Sequence, residues 1–308
     1  MDPRDQPRLD GLTVMAGLAE QELPAGALYV VGLPIGNAGD ITLRALWVLA
    51  HVDAVAAEDT RVTAPLLARF GITTPLVAAH QHNERRLSGT LLERIRAGQR
   101  IALVTDAGTP GISDPGALIV RAALDAGQRV IPIPGPSSTA AAVSAAGLGA
   151  GSFRHVGFLP TAARERERQL RSIAADPGAS ILFEAPHRIR ALLPELAERL
   201  AADRRVVIAR ELTKKFESIS AHPAGTLADL VAEERGEYVV IVDAAAAVTR
   251  HALDDSARGW LEALLEELPP ARAAAVVSQM TGVARESVYE AALELRRGAA
   301  ARRERTPR

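Results

Sequence analysis

The stretch IALVTDAGTPGISDPGALIVRAALDAGQRVIPIPGPSS, residues 101–138, decides the fold. Ile101–Thr105 is a short apolar run of the length of a buried strand. The twelve positions Thr105–Gly116 hold two prolines, three glycines and two aspartates. Pro115–Ala126 then reads as a helix, with proline in its first turn and Gly127 beyond its end. Val130–Ile133 is a second strand. Its exit, Pro132-Ile133-Pro134-Gly135-Pro136-Ser137-Ser138, is stiffened by three prolines and opens a small-residue helix, Ser137–Ala146, ended by Gly147. Strand, loop, helix and strand in this order form a βαβ unit, whose strands pair in parallel. Ser113 or Asp114 is placed to cap the helix at Pro115. Capping leaves Asp106–Gly111 without a local purpose, which points to a ligand.

The same alternation extends outward. On the N-terminal side, Leu28–Gly32 is a strand. Residues Leu33–Asp40 form a loop, and Asp40 or Thr42 caps a helix running to His51. Ala54–Ala57 is a buried strand, and Ala64–Phe70 and Glu84–Ala97 are helices. After a glycine-rich break at Gly147–Ser152 come strands at His155–Phe158, Ser180–Phe183, Arg205–Arg210 and Tyr238–Val242. Helices are expected at Thr161–Ala174, Arg188–Arg199 and Thr226–Glu233, with Phe216–Ser220 as a hairpin partner. Ala244–Val248 reads as a linker. Beyond it, Ser256–Glu267, Pro270–Met280 and Glu286–Arg297 are helical, with Gly282 in a turn resembling a helix-turn-helix. Trp47 and Trp260 sit in apolar helical patterns and read as core. The fold class is therefore α/β: two α/β domains, 25–147 and 148–245, and a small helical module, 253–298. They are flanked by an N-terminal extension, 1–24, and a basic tail, 299–308.

Composition narrows the function. The 308 residues carry 36 Lys+Arg and 37 Asp+Glu, a net charge of −1, and no cysteine. Disulfides, thiolate zinc sites, iron–sulfur clusters and a cysteine nucleophile are excluded. No apolar run reaches the ~20 residues needed to span a bilayer. Met1–Leu23 lacks the long apolar stretch of a secretory signal, so a cytoplasmic location is expected. The near-zero charge argues at first sight against a polyanion partner, but it averages over arginine clusters. Arg85 and Arg86 open one helix, Arg164, Arg166, Arg168 and Arg171 lie in another, and six arginines fall between Arg296 and Arg308. Only Lys214 and Lys215 are lysines. His80, His82 and Glu84 could face one ion, but no further strong ligand is evident and no metal is expected.

In open parallel sheets, ligands bind outside the carboxyl ends of the strands. The loop Leu33-Pro34-Ile35-Gly36-Asn37-Ala38-Gly39-Asp40 is neither G-x-G-x-x-G nor a lysine-bearing phosphate loop, which sets aside nucleotide-triphosphate hydrolysis. With the two loops of the opening stretch, it offers backbone donors and acceptors suited to a nucleoside-like cofactor. Four side chains near strand ends are candidates for chemistry. Asp59 is a proton acceptor, Arg61 a bidentate phosphate ligand, His187 a base near neutral pH, and Lys214 a stabiliser of developing negative charge.

L-P-I-G-N at 33–37, A-E-D-T-R at 57–61, D-A-G-T-P-G-I-S-D-P-G at 106–116 and P-G-P-S-S at 134–138 together resemble the tetrapyrrole-methylase superfamily. Within it, the resemblance is greatest to the bacterial 16S ribosomal RNA (cytidine-2′-O)-methyltransferases. H-x-H-N-E at 80–84, F-E-A-P-H-R at 183–188, A-R-E-L-T-K at 209–214 and G-E-Y-V at 236–239 extend it. The resemblance implies S-adenosylmethionine (SAM) bound in a cleft between two α/β domains, and a homodimer. It implies as substrate the ribose 2′-hydroxyl of a decoding-centre cytidine in the small ribosomal subunit. Carried over position by position, the cofactor contacts fall on Pro34, Gly36, Asp106, Ala107, Gly108, Thr109, Ile112, Ser137 and Ser138 in the first domain. In the second they fall on Glu184, Ala185, Leu212 and Tyr238. RNA contacts are expected from Arg85, Arg86, Arg164, Arg168 and Arg188. Tetrapyrrole-modifying relatives usually carry a G-G-D-P-like segment where this chain has Ala107-Gly108-Thr109-Pro110, which favours the RNA branch over a small tetrapyrrole substrate. A third reading is an RNA-binding assembly factor that keeps the fold without catalysis.

Overall fold

A computed structural model describes residues 17–80, 83–148, 151–245, 253 and 255–304. The described residues up to Ala244 form one compact unit built on two five-stranded sheets, and a second unit begins at Ala245.

The first sheet is wholly parallel. Its strands are β1 (Ala27–Val31), β2 (Ala54–Ala57), β3 (Leu76–Ala78), β4 (Arg100–Val104) and β5 (Arg129–Ile133), in the order β3-β2-β4-β1-β5. Its helices are α1 (Leu43–His51), α2 (Thr60–Arg69), α3 (Glu84–Arg96) and α4 (Ala117–Asp125), with α5 (Ser138–Ala146) leading out. Both faces are covered, as a parallel sheet requires. Tyr29 and Val31 point into one core with Leu46, Leu49 and Val104. Leu28 points into the other with Leu91, Leu103 and Ile119. Thr42, not Asp40, caps α1: its hydroxyl accepts from the Ala45 N–H at 3.1 Å. α2 starts four residues before the expected Ala64, because the Asp59 carboxylate caps it at the Arg61 N–H. β3 escaped the sequence reading. It is three residues long and only partly buried, so it carries little apolar pattern.

The second sheet departs from the expected repetition. Its strands are β6 (Phe153–Phe158), β7 (Ala179–Glu184), β8 (Arg205–Arg210), β9 (Ser218–Pro223) and β10 (Tyr238–Val242), in the order β6-β7-β10-β8-β9. Only β6 and β7 pair in parallel; the other pairs are antiparallel. Helices α6 (Ala163–Ala174) and α7 (Ile189–Arg199) flank it. The helix expected at 226–233 is a 3-10 turn, Ala224–Asp229. The N–H groups of Ala224 and Gly225 donate to the carbonyls of Arg204 and Ala202, which ties that turn to the preceding strand connection. α5 joins the sheets: Ala142 and Ala146 share a core with Ile181, Val207 and Val239.

The C-terminal unit holds α8 (Asp255–Glu267), α9 (Pro270–Thr281) and α10 (Arg285–Glu304), around Leu261, Val277, Val283 and Val288. Gly282 ends α9 at φ +72°, a left-handed cap that favours glycine. Trp47 packs against the first core. Trp260 is 48% exposed, so its core assignment is corrected: its position falls on the outer face of α8. Leu23 packs on the first core. Residues 1–16 of the expected extension, Gln81 and His82, 246–248 of the expected linker and 305–308 of the basic tail lie outside the described residues.

Candidate active site

The three loops that end β1, β4 and β5 are bound to one another by main chain. The Leu33 N–H donates to the Gly108 carbonyl at 2.8 Å, and the Gly108 N–H returns to Leu33 at 3.0 Å. The Thr109 hydroxyl donates to the Pro136 carbonyl at 3.1 Å. Gly32 and Gly135 lie back to back. A methyl group on Gly32 would sit 2.9 Å from Gly135 Cα, and one on Gly135 would sit 2.8 Å from the Gly32 carbonyl oxygen. Glycine is required there for close backbone approach rather than for an unusual φ.

The loop after β4 is held at both ends by carboxylates from neighbouring elements. At its start, the Glu58 carboxylate accepts from the Asp106 N–H at 3.3 Å, while Asp106 Oδ1 accepts from the Asp59 N–H at 3.0 Å. At its end, Glu84 caps α4 from the first turn of α3. Glu84 Oε1 accepts from the N–H groups of Gly116 at 2.9 Å, Leu118 at 2.8 Å and Ile119 at 3.4 Å, and the residue is buried. This corrects the expectation that Ser113 or Asp114 caps the helix. It also gives the H-x-H-N-E segment a structural role. Asn83 makes no side-chain cap to α3 and instead donates to the Ala78 carbonyl.

Opposite these loops stand the ends of β7 and β10, where Glu184 and Tyr238 are register partners, and the turn after β8. That turn is strained: Glu211 (φ +52°) and Thr213 (φ +68°) are both left-handed without being glycine. Between them Leu212 faces the cleft. Lys214 closes the turn, its Nζ donating to Glu211 Oε1 at 2.9 Å and Glu237 Oε2 at 3.0 Å. Its stem lies over Gly36, where a Cβ would come within 2.5 Å of Lys214 Cγ.

The enclosed cleft has a volume of about 440 Å³, within the ~300–1,000 Å³ usual for small-molecule sites. Eleven of the thirteen expected cofactor residues line it: Asp106, Ala107, Gly108, Thr109, Ile112, Ser137, Ser138, Glu184, Ala185, Leu212 and Tyr238. Pro34 and Gly36 are not in the lining; Pro34 is buried, and Gly36 meets the Lys214 stem. The reading by residues missed Glu58, Ser113, Asp114, Phe158, Phe183 and Glu237, all of which line the cleft. Glu58 was legible beside Asp59 at the end of a buried strand. Asp114 was visible but assigned to a cap.

Three carboxylates crowd one side of the cleft. Burial, then the charges of Glu58 and Asp106, push Asp114 up to about 6. Burial likewise raises Glu58 and Asp106. Asp59 behaves oppositely: its hydrogen bonds with Arg61 hold it down to about 2. Arg61 forks onto both Asp59 oxygens, at 3.0 and 2.6 Å. Neither group lines the cleft; Asp59 caps α2 and Arg61, exposed, is its counter-ion. His187 is exposed in the turn before α7. Burial works to lower the Lys214 pKa, but its hydrogen bonds to Glu211 and Glu237 outweigh burial and leave it raised.

The arginines expected on RNA divide. Arg85, Arg86, Arg164 and Arg168 are exposed, Arg168 paired with Glu165. Arg188 is corrected: its Nε pairs with Glu184 at 3.2 Å and its Nη2 donates to the Leu159 carbonyl at 2.8 Å, so it orders the cleft wall. Among the described residues, no cluster of three His, Asp or Glu is placed to hold a metal ion. No helix among them is long and apolar enough to cross a membrane.

Known proteins resemble the chain along most of its length. Residues 27–230 match the family model of tetrapyrrole (corrin/porphyrin) methylases, and residues 251–296 match the RsmI C-terminal HTH domain. The chain is 44% identical over 277 residues to the ribosomal RNA small subunit methyltransferase I of Pseudomonas aeruginosa, covering 88% of this chain and 98% of that one. It is 45% identical over 273 residues to that of Escherichia coli O157:H7, covering 87% and 95%. Among solved structures, the methyltransferase CobJ superposes with a TM-score of 0.55 at 25% identity, covering 72% of this chain and 95% of that one. The uroporphyrin-III C-methyl transferase of Thermus thermophilus, complexed with S-adenyl homocysteine, superposes with 0.52 at 20% identity, covering 70% and 97%.

Proposed function

Because the chain belongs to the tetrapyrrole methylase family, and within it to the ribosomal RNA small subunit methyltransferases I, we propose that it is a SAM-dependent methyltransferase acting on the ribose 2′-hydroxyl of a cytidine in small-subunit ribosomal RNA. The observation that carries the reading is the cleft formed by three interlocked, backbone-rich loops facing the second sheet. On this reading residues 25–147 bind the cofactor, 148–245 complete the cleft and 253–298 contact RNA. The protein acts as a cytoplasmic homodimer.

The residues present fit SAM. Ile35, Phe183, Leu212 and Val239 offer apolar walls to an adenine, and the N-terminus of α5, capped by Ser137, offers free N–H groups. Glu58, Asp106 and Asp114 give the cleft a negative face for a cationic ligand. The Glu184 carboxylate is fully buried in the cleft wall and ion-paired with Arg188 at 3.2 Å and Arg166 at 3.7 Å, which fixes the end of β7. SAM supplies a methyl group already activated as a sulfonium. What the chain must add is position and a destination for the hydroxyl proton. Asp114 suits the second of these needs, because it lines the cleft and its carboxyl is pushed up to about 6. Lys214 orders Glu237 at the cleft edge. Arg85, Arg86, Arg164 and Arg168 contact phosphates.

The test is methylation of purified small subunits lacking the modification, with methyl-labelled SAM and mass-spectrometric mapping of the labelled ribose. Label on a cytidine ribose is expected. Unlabelled subunits, under conditions where another ribose methylase labels them, refute the reading. Turnover of a precorrin-like compound would move the function to a small tetrapyrrole. Failure to bind SAM in calorimetry would leave a non-catalytic RNA-binding factor.

A further inference from the structure

His155 has no part in the chemistry above, yet three unusual features meet at it. It lies on β6, in the second sheet, and reaches back to the first. Its Nε2 is 2.8 Å from Ser113 Oγ, in the loop after β4, and its Nδ1 is 3.1 Å from Thr139 Oγ1, in the first turn of α5. Ser113 is left-handed at φ +65°, a conformation that non-glycine residues adopt only when something holds them there. β6 bulges between His155 and Gly157, so that both stand beside Ser113. Gly157 is left-handed at φ +72°, and a Cβ there would lie 3.0 Å from Ser113 Oγ. The imidazole is wedged edge-on against Phe183, with ring centroids 4.9 Å apart. Burial lowers its pKa, which keeps it neutral, with one donor and one acceptor nitrogen for two hydroxyls.

We infer that His155 is a positioning residue for the cofactor: from the second sheet it fixes Ser113 and, through Thr139, the helix end carrying Ser137 and Ser138. Residues on both sides of this bridge line the cleft, Ile112, Ser113 and Asp114 on one and Ser137 and Ser138 on the other. The bulge and Gly157 make room for the bridge, and the bridge holds Ser113 in its left-handed state. The inference rests on the cleft being the SAM site.

The test uses the full chain and reads SAM dissociation constants by calorimetry beside thermal midpoints. His155→Ala and Ser113→Ala should each weaken SAM about three- to tenfold, the worth of one hydrogen bond. The double variant should be no weaker than His155→Ala alone, because the bond of Ser113 is already lost there. His155→Gln, which keeps a donor and an acceptor near Ser113, should recover part of the loss. In steady state the loss should fall on KM for SAM rather than on kcat. Wild-type affinity in His155→Ala, multiplying losses in the double variant, or a lowered midpoint with unchanged affinity would each overturn the inference. Failure of the wild-type chain to bind SAM would instead overturn the assignment of the cleft.

Discussion

Glu84 gives the most exacting test of how the cleft is held. It is buried at 5% exposure, and its Oε1 caps α4 through two good hydrogen bonds, from Gly116 and Leu118, and a long one from Ile119. Hydrogen bonds to a charged acceptor contribute about 1.5–3 kcal/mol each, and the donors left behind in Glu84→Ala are largely shut off from water. Removing two such bonds should cost about 3–6 kcal/mol. In a unit of this size that lowers the thermal midpoint by roughly 6–24 °C. Glu84→Gln keeps an acceptor oxygen and loses only the charge facing the helix N-terminus, so it should cost about 1 kcal/mol. Scanning calorimetry with a denaturant titration at one pH measures both. Because Gly116 ends the loop that lines the cleft, SAM affinity should fall in the same order, Ala well below Gln. A Glu84→Ala midpoint within about 1 °C of wild type would refute the cap, given that even one lost hydrogen bond should exceed that. So would a Gln variant as damaged as the Ala variant.

Gly135→Ala should disrupt the crossing with Gly32, since its Cβ would lie 2.8 Å from a carbonyl oxygen that cannot swing away. A loss of about 1–3 kcal/mol by denaturant titration, together with weakened SAM binding, is expected. Asp114→Asn should flatten the pH dependence of stability. In the folded chain Asp114 titrates at about 6, above its ordinary 3.8; the folded state therefore holds the proton more tightly, and this group's stabilising effect, full below pH 4, is lost as pH rises to 6. Denaturation midpoints from pH 4 to 7 check it. The same variant should lower kcat with a smaller change in SAM affinity. Gly36→Ala should displace the Lys214 stem, whose Cγ would lie 2.5 Å from the new Cβ, and weaken SAM binding; calorimetry reads the loss.

In the first sheet β1, β2 and β4 were legible because they are buried on both faces and read as plain apolar runs. Leu28, Val55 and Leu103 carry that signal. The antiparallel pairing of the second sheet was not legible. Arg205–Arg210 and Tyr238–Val242 look the same whichever way their neighbours run, and only the β8–β9 hairpin reveals the reversal. The main-chain part of the cleft was readable from the glycines and prolines that its loops need. The side chains acting across it were not. Glu84, Ser113 and His155 lie far apart in sequence, and nothing local to any of them announces its partner. Asp59 misled because an acidic residue after a strand looks alike whether it faces a cleft or caps the next helix.

The crossing of residues 32 and 135 and the bridge between residues 33 and 108 fasten the cleft floor to three adjacent strands of a parallel sheet, with β1 held between β4 and β5. Such a floor cannot breathe by itself: opening it means unzipping β1 from β4 and β5, which is close to unfolding the whole sheet. Exchange of a bound molecule must then run over the opposite rim, past residues 110–115 or the turn that holds Leu212. The amides of residues 33 and 108 should accordingly be among the slowest in the chain to exchange with deuterium, whether or not the cleft is filled, while those of the rim should register each visit.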